Sequence, residues 1–242
     1  MLALYEKSLL AQEPVVCLDE KPVTLHQEVR APLGPQPASV AKGDYEYQRC
    51  GSVNAFCAVE PQAGVHFTKI TPNRRAQEFA GFLQSIALHY SEARTIHLVM
   101  DNLNTHTRKA MVERFGEKEG GALWERFTVH YTPKHASWLN QAEIEISLFA
   151  RQCLGTRRIG DISSLAKEAR AWNQRVNQNR VTIDWTFDRK KARKKFRYKT
   201  KRSRYLVVDD HPRMIHREEI GFAQRIASRY GRMIFSTRQT CA

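Results

Sequence analysis

Two short apolar blocks in this chain each run into an aspartate, and that pattern constrains the fold more than any other feature. Residues 14–19 read Pro-Val-Val-Cys-Leu-Asp, and residues 96–101 read Ile-His-Leu-Val-Met-Asp. Runs this short and this apolar predict buried strands, and open sheets commonly carry their sites at the edge where such strands end. Taken singly, either aspartate would read as a turn or helix-cap residue. Brought together on neighbouring strands, Asp19 and Asp101 would repel unless a cation lay between them. Mg2+ is the natural candidate, because it is hard and binds through one or two carboxylates plus substrate phosphates.

The remaining segments surround these strands with alternating elements. A Pro/Gly-rich stretch at 31–43 predicts a loop, and residues 45–60 and 64–71 predict strands joined by a turn at 61–64. Ala76, Phe79, Ala80, Leu83, Ile86, Ala87 and Tyr90 recur at three- and four-residue steps, the signature of an amphipathic helix, with Asn73 as its N-cap. Beyond Asp101 come polar helical material, a Gly-containing loop at 116–121, a strand at 127–131, and helices over 138–153 and 163–180. Ser137 is the expected N-cap of the first of these, and Leu165, Ala169, Trp172 and Val176 keep helical spacing in the second. Trp124, Trp138 and Trp172 read as core or interface aromatics. The order predicts an α/β fold, a mixed sheet flanked by helices.

A third acid is available on the helix at 138–153. Leu139, Ala142, Ile146, Phe149, Ala150 and Cys153 form its apolar stripe, and at 100° per residue Glu143 and Glu145 flank that stripe on opposite edges. Helical geometry alone leaves both open.

Charge narrows the partner. Lys and Arg number 39 against 25 Asp and Glu, giving a net charge of +14, and so basic a domain usually meets a polyanion, most often nucleic acid. The excess is densest over residues 189–204, where Arg189, Lys190, Lys191, Arg193, Lys194 and Lys195 open a run that reads either as a solvated segment or as a phosphate-binding arm. Lys134 and His135, isolated basic residues ahead of that helix, read either as solvated or as further contacts to a nucleic-acid backbone. The five cysteines are scattered without a Cys-x-x-Cys pair, which argues against a disulfide framework or zinc site and for a reducing compartment. No apolar run is long enough to cross a bilayer, and the N-terminus lacks the pattern of a secretory signal. The expected location is cytoplasmic.

Three motifs occur in order. They are Asp19 within Leu-Asp-Glu-Lys, Asp101 opening Asp-Asn-Leu-Asn-Thr-His106, and the run TPKHASWLNQAE from Thr132 to Glu143. Together they resemble the DDE transposases of the Tc/mariner superfamily, in particular its bacterial insertion-sequence six-thirty branch. The resemblance covers roughly residues 4–200. It implies a ribonuclease H-like fold and assigns the third acid to the Glu of a Leu-Asn-x-x-Glu motif, which falls on Leu139, Asn140 and Glu143 and leaves Glu145 as runner-up. It further implies two divalent ions, Mg2+ or Mn2+, held by Asp19, Asp101 and Glu143, for cleavage and strand transfer by in-line attack at phosphorus. The implied partners are transposon ends and target DNA at a TA dinucleotide, handled by a homodimer in a synaptic complex in the bacterial nucleoid. Asn102 and His106 would contact phosphate or orient Asp101, and Asn140 would support the third acid. The domains expected are a catalytic domain over 1–188, a basic segment over 189–204 and a tail of unknown role over 205–242.

The chain departs from the family pattern in three places. It begins almost at the first catalytic strand, so the helix-turn-helix region that precedes it in the family is expected to be missing or separately encoded. The extension after about Thr200 lies outside the pattern. Glu143 follows Asp101 by 42 positions, longer than usual, with the 116–121 loop to absorb the excess. Two other readings stay open, a catalytically silent remnant that binds DNA and a different ribonuclease H-like nuclease.

Overall fold

The computed structural model describes residues 1–8, 10–31, 34 and 44–197. Most of the predicted 31–43 loop, the basic run beyond 197 and the 205–242 tail lie outside the described residues. A short helix α1 (Leu2–Tyr5) leads into β1 (Val15–Glu28), followed by β2 (Tyr47–Glu60), β3 (Val65–Thr71), α2 (Ala76–His89), β4 (Ile96–Met100), α3 (Arg108–Glu125), β5 (Phe127–Tyr131), α4 (Ala142–Phe149), α5 (Ile162–Gln178) and α6 (Arg189–Lys195).

The strands form one sheet in the order β3-β2-β1-β4-β5. β1–β2 and β2–β3 pair antiparallel, whereas β1–β4 and β4–β5 pair parallel. This mixed sheet flanked by helices is the ribonuclease H-like arrangement that the motif resemblance implies. Alternation along β1 sorts the core into two layers. Val16 and Leu18 join Phe56, Phe79, Phe82, Leu83, Ile86 and Leu98 on the α2/α3 face. Val23 and Leu25 join Ala55, Cys57, Leu148, Phe149, Leu165 and Trp172 on the α4/α5 face. Each fully buried Phe or Leu side chain contributes about 1.5–3 kcal/mol of burial free energy.

Several expected boundaries are corrected. β1 does not stop at Asp19 but continues to Glu28, paired with β2 alone, because β4 reaches only Val15–Cys17. With one side open, the strand tolerates Pro22, and the alternation of Val23 and Leu25 carries it on. The loop expected at 116–121 is a kink at one residue. Gly116 (φ 82, ψ 164) breaks α3, and the helix resumes through Gly120 and Gly121. Gly120 is needed for close approach, since a Cβ there would lie 2.4 Å from the Met111 carbonyl oxygen.

The helix expected over 138–153 is divided. A 3-10 turn (Ser137–Leu139) precedes α4, and a π turn (Ala150–Leu154) follows it. Ser137 therefore caps nothing on α4. Asn140 does so instead, its Oδ1 accepting the Ala142 N–H at 3.2 Å. Asn73 likewise sits ahead of the α2 N-cap position, Arg75, and accepts that residue's N–H at 2.9 Å. On α5 the predicted stripe holds, with Leu165, Ala169, Trp172 and Val176 buried, and Asp161 supplies the cap to Ser164 N–H at 2.9 Å. Among the described residues, no helix is long and apolar enough to cross a membrane.

Candidate active site

The pairing of β1 with β4 explains why two distant aspartates meet. Cys17 lies opposite Val99 in parallel register. Two residues further along each strand, on the same face, come Asp19 and Asp101. Helix α4 crosses that face, with Ala142 packed in a cluster with Cys17 and Val99, so that Glu143 arrives beside them. Asn140 fixes the approach. Its Nδ2 donates to the Leu18 carbonyl at 2.8 Å in a buried bond, and Tyr5 donates from its hydroxyl to the Leu139 carbonyl at 2.7 Å.

The three carboxyls feel one another. Burial first, and then the charges of Glu143, Asp101 and Glu20, push Asp19 up to about 7, although the Glu20 N–H stabilises its ionised form. Burial and the Asp101 charge also raise Glu143, opposed by Lys21. Asp101 Oδ1 is buried, with the His106 ring nitrogen Nδ1 2.8 Å away. Carboxylate oxygens gathered at one sheet edge are the donor set that suits a hard divalent cation.

On the opposite face, His106 supports Asp101. Its ring is fully enclosed and stacks on Phe79 with centroids 4.4 Å apart. Nε2 lies 2.6 Å from Glu20 Oε1, and Nδ1 lies 2.8 Å from Asp101 Oδ1 and 3.2 Å from the Asp101 carbonyl. Burial alone would lower its pKa, but the bonds to Asp101 and Glu20 outweigh burial and raise it to about 9. The ring is therefore an imidazolium at neutral pH. Glu20, Asp101 and His106 present ligand atoms within 4.8 Å of one another, and both ring nitrogens of His106 already face oxygens. Enclosure also removes it from any contact with phosphate.

Glu145 points elsewhere. Its side chain is 0% exposed, and Oε2 lies 2.8 Å from His66 Nδ1. Of the predicted stripe, Ala142, Phe149 and Cys153 are buried, and the enclosed face widens to take in Ile144, Glu145 and Leu148. Asn102 is exposed on the loop after β4, as are Lys134 and His135 on the loop after β5, where His135 takes a left-handed φ of 64°. Helix α6 exposes Arg189, Lys190, Lys191, Arg193, Lys194 and Lys195. Arg189 bonds Glu6 through its backbone N–H and Nε. Phe187 and Phe196, at the two ends of α6, pack on Trp138 with centroids 5.6 Å and 6.2 Å away. That packing docks the basic helix against the same 3-10 turn that follows Lys134 and His135.

Sequence reasoning missed Glu20, Lys21 and His66. Period-two alternation offered a signal for Lys21, which shares the face of Asp19. None existed for His66, whose partner is 79 positions away.

The mixed sheet in the order β3-β2-β1-β4-β5, flanked by helices, defines a ribonuclease H-like fold. Within that class the chain belongs to the DDE superfamily endonuclease family, whose model matches residues 14–166 and so spans all three acids. Among solved structures, the chain is similar to the Mos1 mariner paired-end complex with Mn, at 13% identity and a TM-score of 0.48 over 74% of this chain. It is also similar to the Mos1 transposase paired-end complex with left transposon end, at 14% identity and a TM-score of 0.33 over 75% of this chain. The chain spans 56% and 59% of those two chains. No curated protein matches it.

Proposed function

We propose that this chain is the catalytic domain of a DNA transposase of the bacterial insertion-sequence six-thirty branch, cutting DNA and joining the freed 3′ end to a target. The observation that carries the reading is the convergence of Asp19, Asp101 and Glu143, from three separate elements, with the charges of Glu143 and Asp101 raising Asp19 and that of Asp101 raising Glu143.

In this reading the three carboxylates would hold two divalent ions, Mg2+ or Mn2+, which would supply Lewis-acid stabilisation of an in-line displacement at phosphorus. The protein's own groups prepare the site. The His106 imidazolium orients Asp101 and offsets its charge, Glu20 anchors that ring, and Lys21 moderates the repulsion around Glu143. Asn140 ties the helix bearing Glu143 to the strand bearing Asp19. Asn102 is placed to contact the substrate backbone. Lys134, His135 and the exposed side chains of α6 follow phosphates without reading bases. The catalytic domain spans 1–188, the basic segment 189–204 serves DNA, and the assembly is a homodimer on paired ends in the bacterial nucleoid.

The test is strand transfer from a pre-cleaved DNA end into a plasmid with Mg2+ or Mn2+, comparing wild type with Asp101→Ala. Activity present in the first and abolished in the second is expected. Cleavage of RNA–DNA hybrids without strand transfer would assign the chain to a different nuclease class. DNA binding with no cleavage under any condition would make it a silent remnant.

A further inference from the structure

On the side of α4 turned away from the acids, Glu145 and His66 form a closed pair with no part in the chemistry above. Both side chains are 0% exposed. His66 Nδ1 lies 2.8 Å from Glu145 Oε2, and Nε2 lies 2.8 Å from the Val181 carbonyl. Each ring nitrogen thus faces an oxygen, and the two bonds lock the ring in place.

His66 is in turn fixed through its backbone. It lies on β3, an edge strand of the sheet. There Asn177 of α5 stands in for a neighbouring strand. Its Oδ1 accepts the His66 N–H at 2.8 Å, its Nδ2 donates to the His66 carbonyl at 2.8 Å, and Nδ2 also donates to the Asn173 carbonyl at 2.9 Å. A continuous polar chain therefore runs from α5 through Asn177 and His66 to Glu145 on α4. Just ahead of its first turn, α4 is also tied to β1 by Asn140.

Residues two apart on a helix point about 200° apart, so fixing Glu145 fixes the direction of Glu143. That direction is opposed, because the Asp101 charge repels Glu143 and a small roll of α4 would relieve the repulsion. Apolar packing tolerates such a roll. A buried, bonded pair does not, because movement would leave polar atoms unpaired in the interior.

We infer that the His66–Glu145 pair is a positioning device that holds α4 against rotation and keeps Glu143 turned toward Asp19 and Asp101. The inference rests on the three-acid reading proposed above.

The test compares the full 242-residue chain in wild-type form, as Glu145→Gln, and with both partners replaced, His66→Leu together with Glu145→Leu. Mn2+ affinity is read by electron paramagnetic resonance, and plasmid nicking with Mn2+ gives kcat and KM. Replacing a whole buried pair by apolar groups commonly preserves stability, so the double variant is expected to melt near the wild-type temperature. It is nevertheless expected to bind Mn2+ about 10–100-fold more weakly, the usual effect of losing a group behind a ligand, and to lose kcat at unchanged KM for DNA. Glu145→Gln should show a smaller loss. Wild-type affinity and kcat in the folded double variant would overturn the inference. If the double variant does not fold, unchanged Mn2+ affinity in Glu145→Gln overturns it instead. A wild-type chain that binds no Mn2+ would sink the three-acid reading itself. The pinning of α4 is then read separately, by hydrogen exchange of residues 142–149. Faster exchange in the variants supports it, and equal exchange refutes it.

Discussion

Asp19 holds its proton up to about pH 7, well above the range of an aspartate in an unfolded chain. A raised acid binds its proton more tightly in the folded state, so folding stability falls as pH rises from about 4 to 7. The shift corresponds to roughly 4 kcal/mol. His106, raised to about 9, contributes stability that is complete below about pH 6.5 and is lost as pH climbs toward 9. In chelator, the urea midpoint should therefore decline from pH 5 through 7 to 9, and Mn2+ should flatten the lower part of that decline. A chelator profile that is level between pH 5 and 7 would contradict the burial and repulsion described at Asp19. Removing the brace is a separate matter. His106→Ala strands Glu20, whose side chain is 3% exposed, and breaking a buried pair typically costs about 3–5 kcal/mol. Urea unfolding at pH 7 measures it, and a cost below about 1 kcal/mol, the level of an exposed ion pair, would show that the ring is dispensable.

Elements were legible where their chemistry is local. The blocks ending at Asp19 and Asp101, the α2 stripe and the α5 stripe all follow from periodicity, because one buried face suffices to define them. The exceptions have tertiary causes. The extension of β1 depends on β2 as a partner, and the close approach of Gly120 to Met111 is visible only once α3 has folded back on itself. The choice between Glu143 and Glu145 was likewise closed to helical geometry, since what buries Glu145 is a histidine on a distant strand. Those glycines carry a prediction. Gly120→Ala should lower stability by about 1–3 kcal/mol through overpacking. Gly116→Ala should cost a similar 1–3 kcal/mol by forcing a side chain into a glycine-only backbone region. Equilibrium urea curves of the two variants are the check, and wild-type midpoints would mean that the kink in α3 is not as described.

For the whole molecule, the net charge of +14 and the exposed cations of α6 set the terms of any encounter with DNA. Affinity for duplex should fall steeply with salt and depend little on sequence, because each neutralised phosphate releases condensed counterions. Replacing Lys190 and Lys194 by Gln should reduce the slope of log K against log salt by about 2, close to one unit for each phosphate left without its cation. Fluorescence anisotropy across a salt series measures this, and an unchanged slope would place the DNA elsewhere on the surface. Trp138→Ala, which removes the aromatic seat of α6, should weaken binding without removing any charge.

The shared register of β1 and β4 has a consequence for how such a molecule can go wrong. Successive residues of a strand face opposite ways, so sliding β1 by one position against β4 would carry Asp19 to the layer of Phe79 and swing Glu20 out over α4. The error would not dim the site by degrees; it would exchange one acid for its neighbour and leave the His106 imidazolium facing the wrong partner. Correct threading of β1 beside β4 is thus all-or-none, and the hydrophobic residues on either side of Asp19, by resisting that slip, act as proofreaders of the chemistry as well as filling for the core.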